Sequence, residues 1–142
     1  MVHLEFNSES ENEGIARMVT AAYMMRFDPT MEEMSDVKTA VSEAVTNSIV
    51  HAYDDTNGKI ILDISSQDET IRILVEDFGI GIEDVKKAME PMYTTKAKEE
   101  RTGMGFSFME AFMDKVEVTS TPGKGTKVLM FRKIGGIESL YE

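Results

Sequence analysis

VSEAVTNSIVHAYDD, residues 41–55, is the stretch on which the fold turns. It lies in a helix predicted over about residues 31–53, opened by Thr30-x-x-Glu33, a capping box. Met34, Val37, Val41, Ala44, Val45, Ser48, Ile49 and Ala52 recur at helical spacing and form its buried stripe. At about 100° per residue, with Glu43 at zero, Asn47 falls at about 40° and His51 at about 80°, beside an apolar stripe of about 100° to 240°. Three polar groups thus line the edge of the buried face, one turn apart. Such an edge borders either a cleft or open solvent.

Upstream, Val2, Leu4 and Phe6 alternate with polar residues, so residues 1–6 read as a strand with one buried face. Ser10-x-x-Glu13 reads as another capping box, opening a helix that carries Ile15, Met18, Val19, Ala22 and Met25. Asp28-Pro29 ends it. Downstream, Asp54–Gly58 is a turn cluster, and Lys59–Ser65 and Thr70–Asp77 have strand character. Glu83–Met89 reads as a short helix, residues 90–105 as a mobile loop without apolar periodicity, and Phe106–Met113 as a helix entered through Gly105. Val116–Thr121 and Thr126–Lys133 form a hairpin across Pro122-Gly123-Lys124-Gly125, and 134–142 read as a mobile tail. Helices and strands interleave without a βαβ rhythm. The expected class is α+β, a two-layer sandwich with helices on one face of a mixed or antiparallel sheet.

The 142 residues match the size of one domain, taken as 1–142. A net charge of −11 disfavours DNA or RNA as the main ligand and fits either a basic protein partner or simple solubility. With no cysteine, disulfides, thiolate metal sites and cysteine nucleophiles are excluded. No apolar run approaches the roughly 20 residues that span a bilayer, and the N-terminus has no signal-peptide character. A cytoplasmic protein, not bound to membrane, is expected. Twelve methionines serve either as adaptable core filling or as a binding groove.

Two glycine motifs add chemistry. Asp77-x-Gly79-x-Gly81 closes a strand with a carboxylate able to accept from an amino group such as that of adenine, and its glycines let backbone pass close to a flat ring. Arg101-Thr102-Gly103-Met104-Gly105-Phe106 precedes a helix, where unpaired N–H groups favour phosphate oxygens, and Lys96 and Arg101 add positive charge. Each motif alone is also ordinary turn or loop chemistry. A P-loop is excluded, since no G-x-x-x-x-G-K-[ST] segment occurs.

Taken in order, Glu43-x-x-x-Asn47, Asp77-x-Gly79-x-Gly81 and Gly103-x-Gly105 resemble the N, G1 and G2 boxes of the GHKL (Bergerat-fold) ATPase and kinase superfamily, which includes histidine kinases, DNA gyrase and mismatch-repair ATPases. VSEAVTNSIVHAYDD, VEDFGIGIEDV and MYTTKAKEERTGMGFSFMEAFMDKVEV look closely like the anti-sigma F family of sporulation, serine-protein kinases, along almost the whole chain.

The resemblance implies a pocket for ATP or ADP with Mg²⁺. Asn47 matches the magnesium ligand, through its amide oxygen, and Glu43 the catalytic acid. Asp77 matches the adenine-binding aspartate, with Gly79 and Gly81 beside the ring. Thr126 matches a threonine that holds the adenine-site water, and is equally an ordinary strand residue. An ATP lid over about 90–105 would bring Thr95, Lys96, Arg101, Thr102, Gly103, Met104 and Gly105 to the phosphates, with His51 reaching them too. The implied partners are an RNA-polymerase sigma factor, which the protein would sequester, and an anti-anti-sigma factor, which it would phosphorylate on serine; a homodimer is also implied. Arg17 is either a partner contact or a plain surface arginine. The alternatives are a related stress-response anti-sigma kinase and an ATP-dependent binding module without kinase activity. A histidine kinase is disfavoured, because neither His3 nor His51 lies in a two-helix phosphoacceptor segment.

Overall fold

The computed structural model describes residues 1–54, 56–90 and 100–135, the side chains of 100–104 excepted. Strand β1 (Val2–Asn7) leads to helix α1 (Glu11–Met24), a short 3₁₀ turn (Met25–Phe27) and helix α2 (Met31–Asn47), which continues as a π-helical turn (Ser48–Ala52). Then follow β2 (Lys59–Gln67), β3 (Thr70–Asp77), α3 (Val85–Met89), α4 (Glu100–Phe112), β4 (Lys115–Thr121) and β5 (Gly125–Lys133). The strands form one sheet in the order β1-β2-β3-β5-β4. Every described pairing is antiparallel, which settles the choice between a mixed and an antiparallel sheet. The α+β, two-layer expectation holds.

Alternation along the strands builds one dry face. Ile64, Ile73 and Met130 stand in one cross-strand row, and Leu62, Val75 and Val128 in the next. All six are buried, and removing each such side chain from water contributes roughly 1.5–3 kcal/mol. Against this face lies α2, whose Val37, Ala40, Val41, Ala44 and Val45 are fully buried. The helix packs between α1 and α4. Small residues on its stripe let it lie close to the sheet, and this fixes where Glu43 and Asn47 project.

The capping box at α2 is present: Glu33 N donates to Thr30 Oγ1 at 3.1 Å, and Thr30 N to Glu33 Oε1 at 2.9 Å. Glu33 Oε2 also accepts from Gly135 N at 3.1 Å, so one side chain ties the helix start to the segment after β5. The expected box at Ser10 differs. Ser10 is itself helical in φ and ψ and its side chain makes no cap bond, while Glu13 pairs with Arg17 at 3.2 Å. A residue already in the helical region cannot aim its hydroxyl back at the first turn.

Between β2 and β3, Asp68 and Glu69 both take positive φ, 49° and 68°. That is the backbone a two-residue hairpin loop needs, here without glycine. Glu69 O accepts from Ile134 N at 2.9 Å, which helps hold the turn. Ile134 is buried, so the expected tail does not begin at 134; residues 136–142 lie outside the described residues. The loop expected over 90–105 is corrected too, because α4 starts at Glu100 and runs through Gly103 and Gly105. The helix carries Phe106 and Met109 into the core, and their burial outweighs the roughly 2 kcal/mol that two glycines cost.

Candidate active site

Asp77 is the last residue of β3 and stands in the row Ile60, Asp77, Thr126, Ser120 on the inner face. Only 5% of it is exposed. Ser48 Oγ donates to its Oδ2 at 2.8 Å, while Gly79 N and Thr126 N donate to its Oδ1 at 3.1 and 3.2 Å. Burial pushes its pKa up, against the pull of those three donors. The result is a carboxylate with an anchored Oδ1 and an Oδ2 that has one donor and keeps acceptor capacity toward the cavity.

That cavity, about 80 Å³, is lined by Asn47, Ser48, His51, Asp77, Ile80 and Phe106, among others. The π-helical turn brings Ser48, His51 and Ala52 to it together. Its i→i+5 bonding advances less per residue than an α-helix, so His51 lags the position assigned by a uniform wheel. Ser48 was legible only as part of the apolar stripe. The missed signal was its hydroxyl, since a buried polar group at such a position must find a partner.

The glycines of the loop after β3 are spent on backbone packing. A β-carbon on Gly79 would lie 2.2 Å from Ala52 O. On Gly81, with φ +77°, one would lie 2.4 Å from Thr121 O. Gly123 N donates to Ile80 O at 2.7 Å, so the β4–β5 turn closes the loop from the far side. Thr126 contributes its N–H to Asp77, and its hydroxyl pairs with Ser120 Oγ at 2.8 Å.

Glu43 and Asn47 converge on α4. A β-carbon built on Gly105 would stand 3.3 Å from Glu43 Oε2 and 3.1 and 3.3 Å from the two amide atoms of Asn47. The Nδ2 of Asn47, a donor, is buried with no hydrogen-bond partner. Its Oδ1, the acceptor of the amide, lies 3.3 Å from the same β-carbon position. A neutral oxygen of that kind fits magnesium, which takes few protein ligands and keeps phosphates and waters for the rest. Among the described residues no cluster of three or more His, Asp or Glu side chains could hold a metal by itself.

The other expected positions divide. Thr95 and Lys96 lie outside the described residues. Arg101, Thr102, Gly103 and Met104 are in the first turns of α4, their side chains not described. With the helix starting at Glu100, the N–H groups of Met104 and Gly105 sit beyond its open end, contrary to the expected phosphate cradle just before a helix. Arg17 lies midway along α1, in a separate cleft of about 770 Å³ between α1 and α2 with Met18, Met25, Met31 and Lys38. There Met18, Met25 and Met31 are 63%, 66% and 90% exposed, whereas Met24, Met109 and Met130 are fully buried in the core. Core filling, one of the two uses foreseen for methionine, is therefore present. No described helix is long and apolar enough to cross a membrane.

The family model of the histidine kinase-like ATPase domain matches residues 6–132. An "Anti-sigma F factor" of Caldanaerobacter subterraneus is 56% identical over 95% of this chain and 94% of its own length. Another, of Clostridium novyi, is 53% identical over 95% of both. A solved structure of the RsbU and RsbW domains of a Mycobacterium tuberculosis protein has a TM-score of 0.66 at 16% identity, covering 94% of this chain and 33% of that one, a likeness of fold. The Asp77 pocket, the paired Glu43 and Asn47, and these relatives converge: the chain belongs to the histidine kinase-like ATPase domain family and, within it, to the anti-sigma F factors.

Proposed function

We propose that this chain binds ATP with Mg²⁺, transfers the γ-phosphoryl group to a serine of an anti-anti-sigma protein, and sequesters an RNA-polymerase sigma factor in the cytoplasm, acting as a homodimer. The observation that carries the kinase half is the convergence of the Glu43 carboxylate and the Asn47 amide at Gly105, Asn47 also lining the cavity of the buried Asp77. A module that only bound nucleotide has no use for Glu43.

Asp77 accepts from the adenine amino group through its outer oxygen, and Ile80 and Phe106 supply apolar surface to the ring. Asn47 holds the magnesium, which when bound offsets charge on the phosphates. Glu43 takes the proton of the serine hydroxyl as its oxygen bonds to the γ-phosphorus. The bond from that phosphorus to the β–γ bridging oxygen breaks, and ADP leaves. His51, Thr95, Lys96, Arg101, Thr102 and the N–H groups of Gly103, Met104 and Gly105 serve the phosphates. Those N–H groups become free if the first turns of α4 unwind, and glycine lowers the cost of that change. Thr126 orders the base site through Asp77. Arg17, in the methionine-lined cleft, contacts a protein partner.

Incubation with ATP, magnesium and a candidate antagonist should place phosphate on a serine, detected by mass spectrometry. No transfer to any antagonist, with nucleotide bound, rejects the kinase half. Capture of the sigma factor from the native cell tests the other half and separates sporulation from stress response.

A further inference from the structure

Three consecutive bonds seat the loop after β3 on the π-helical turn and the residue that follows it. Ser48 Oγ donates to Asp77, Phe78 N donates to Tyr53 Oη at 2.7 Å, and Ile80 N donates to Ala52 O at 3.0 Å. Of the three holders, Tyr53 reaches furthest. Its hydroxyl accepts from Phe78 N and donates to Lys59 O at the start of β2, one bond of each kind, which is what a phenol offers. Its ring lies flat on Gly58, where a β-carbon would stand 2.2–2.4 Å from three ring carbons. Gly58 is itself fixed: its N–H donates to Ser8 Oγ at 2.9 Å, and its carbonyl accepts from Ser8 N at 2.8 Å. The phenol thus links the end of β1, the start of β2 and the loop that carries Asp77.

We propose that Tyr53 is a positioning residue for the base pocket: its hydroxyl, set by the ring's seat on Gly58, holds the loop Asp77–Ile80 so that Asp77 and Ile80 face the ligand. Tyr53 is not among the residues that line the cavity, so it acts through the loop. The proposal rests on reading Asp77 as the acceptor for the base. Phe78 is 46% exposed, so water can replace the lost acceptor for its N–H. Loss of the hydroxyl therefore loosens the loop without unfolding the domain.

The test is Tyr53→Phe, which keeps the ring on Gly58 and removes the tether. Titration calorimetry with ATP, ADP and adenosine should show all three weakened by one common factor, roughly three- to tenfold, the worth of one hydrogen bond. Amide exchange of Phe78 and Ile80 should quicken while the protection of Val75 and Val128 stays as it was, a local change that a general loss of stability does not produce. Gly58→Ala, which pushes the ring off its seat, should weaken the same three ligands. Unchanged affinity in Tyr53→Phe, or faster exchange throughout the sheet, overturns the proposal. Asp77→Asn separates the two levels. If it binds ATP normally, the base-pocket reading fails and takes this proposal with it. If it loses ATP while Tyr53→Phe keeps it, Tyr53 alone is wrong.

Discussion

Asp77 has to satisfy two opposed demands. Its burial favours the neutral acid, yet in the proposed function a base bearing an amino group needs the carboxylate as acceptor. Ser48 Oγ, Gly79 N and Thr126 N all donate to it, and burial still raises its pKa. A folded-state pKa above the unfolded value means the native state holds the proton longer, so the charged form costs stability as pH rises from about 4 through that raised value. Asp77→Asn keeps an oxygen for the two backbone donors and removes the buried charge. The melting temperature of the Asn protein should therefore gain on the parent as pH rises through that window, in thermal melts run across pH. The same variant should lose adenine nucleotide, because its amide nitrogen sets a donor against a donor. At Glu43 the expectation is the reverse. Glu43→Gln should bind ATP nearly as the parent does and lower phosphoryl transfer by about 100-fold or more, read as the rate of phosphoserine formation. Of the candidate site, the motifs name residues the fold brings near one another: Asp77 and Asn47 line one cavity, and Glu43 and Asn47 meet at Gly105. Ser48 was not among them, because a serine in an apolar stripe shows no direction until the strand it faces is known.

The elements were legible where one local pattern governed them. The stripe of α2, its capping box and the alternation of β2 and β3 leave little choice of structure. The π-helical turn was hidden, since its sequence satisfies an α-helical stripe equally well. The start of α4 was misread because Gly103 and Gly105 outweighed the helix-forming residues around them. Gly105 provides a test of that helix. Gly105→Ala should favour the helix by roughly 1 kcal/mol while pressing on Asn47 and Glu43 at 3.1–3.3 Å. The nucleotide-free protein should melt no lower than the parent, and phosphoryl transfer should fall. At the other end of the molecule, Glu33 closes the capping box and holds Gly135 N. Glu33→Ala should cost roughly 1–2 kcal/mol, a drop in Tm of roughly 3–8 °C by calorimetry, with nucleotide affinity unchanged.

For the molecule as a whole, composition set the charge and the size, and the interleaving of elements gave the class, while strand order had to come from three dimensions. No local signal says that β5 inserts between β3 and β4. With a net charge of −11, association with a basic partner gains from long-range attraction. Its on-rate should fall by roughly tenfold or more between about 0.05 and 0.5 M salt, with a smaller change in off-rate, measurable by stopped flow. The insertion of β5 also bears on how the chain folds. β2 and β3 are joined by two residues and can pair early, whereas Thr126 N meets Asp77 across 49 positions of sequence. Half the proposed base pocket thus waits for a late, non-local closure. Nucleotide should find no foothold on partly folded chains, so it should slow unfolding by mass action and leave the folding rate almost untouched.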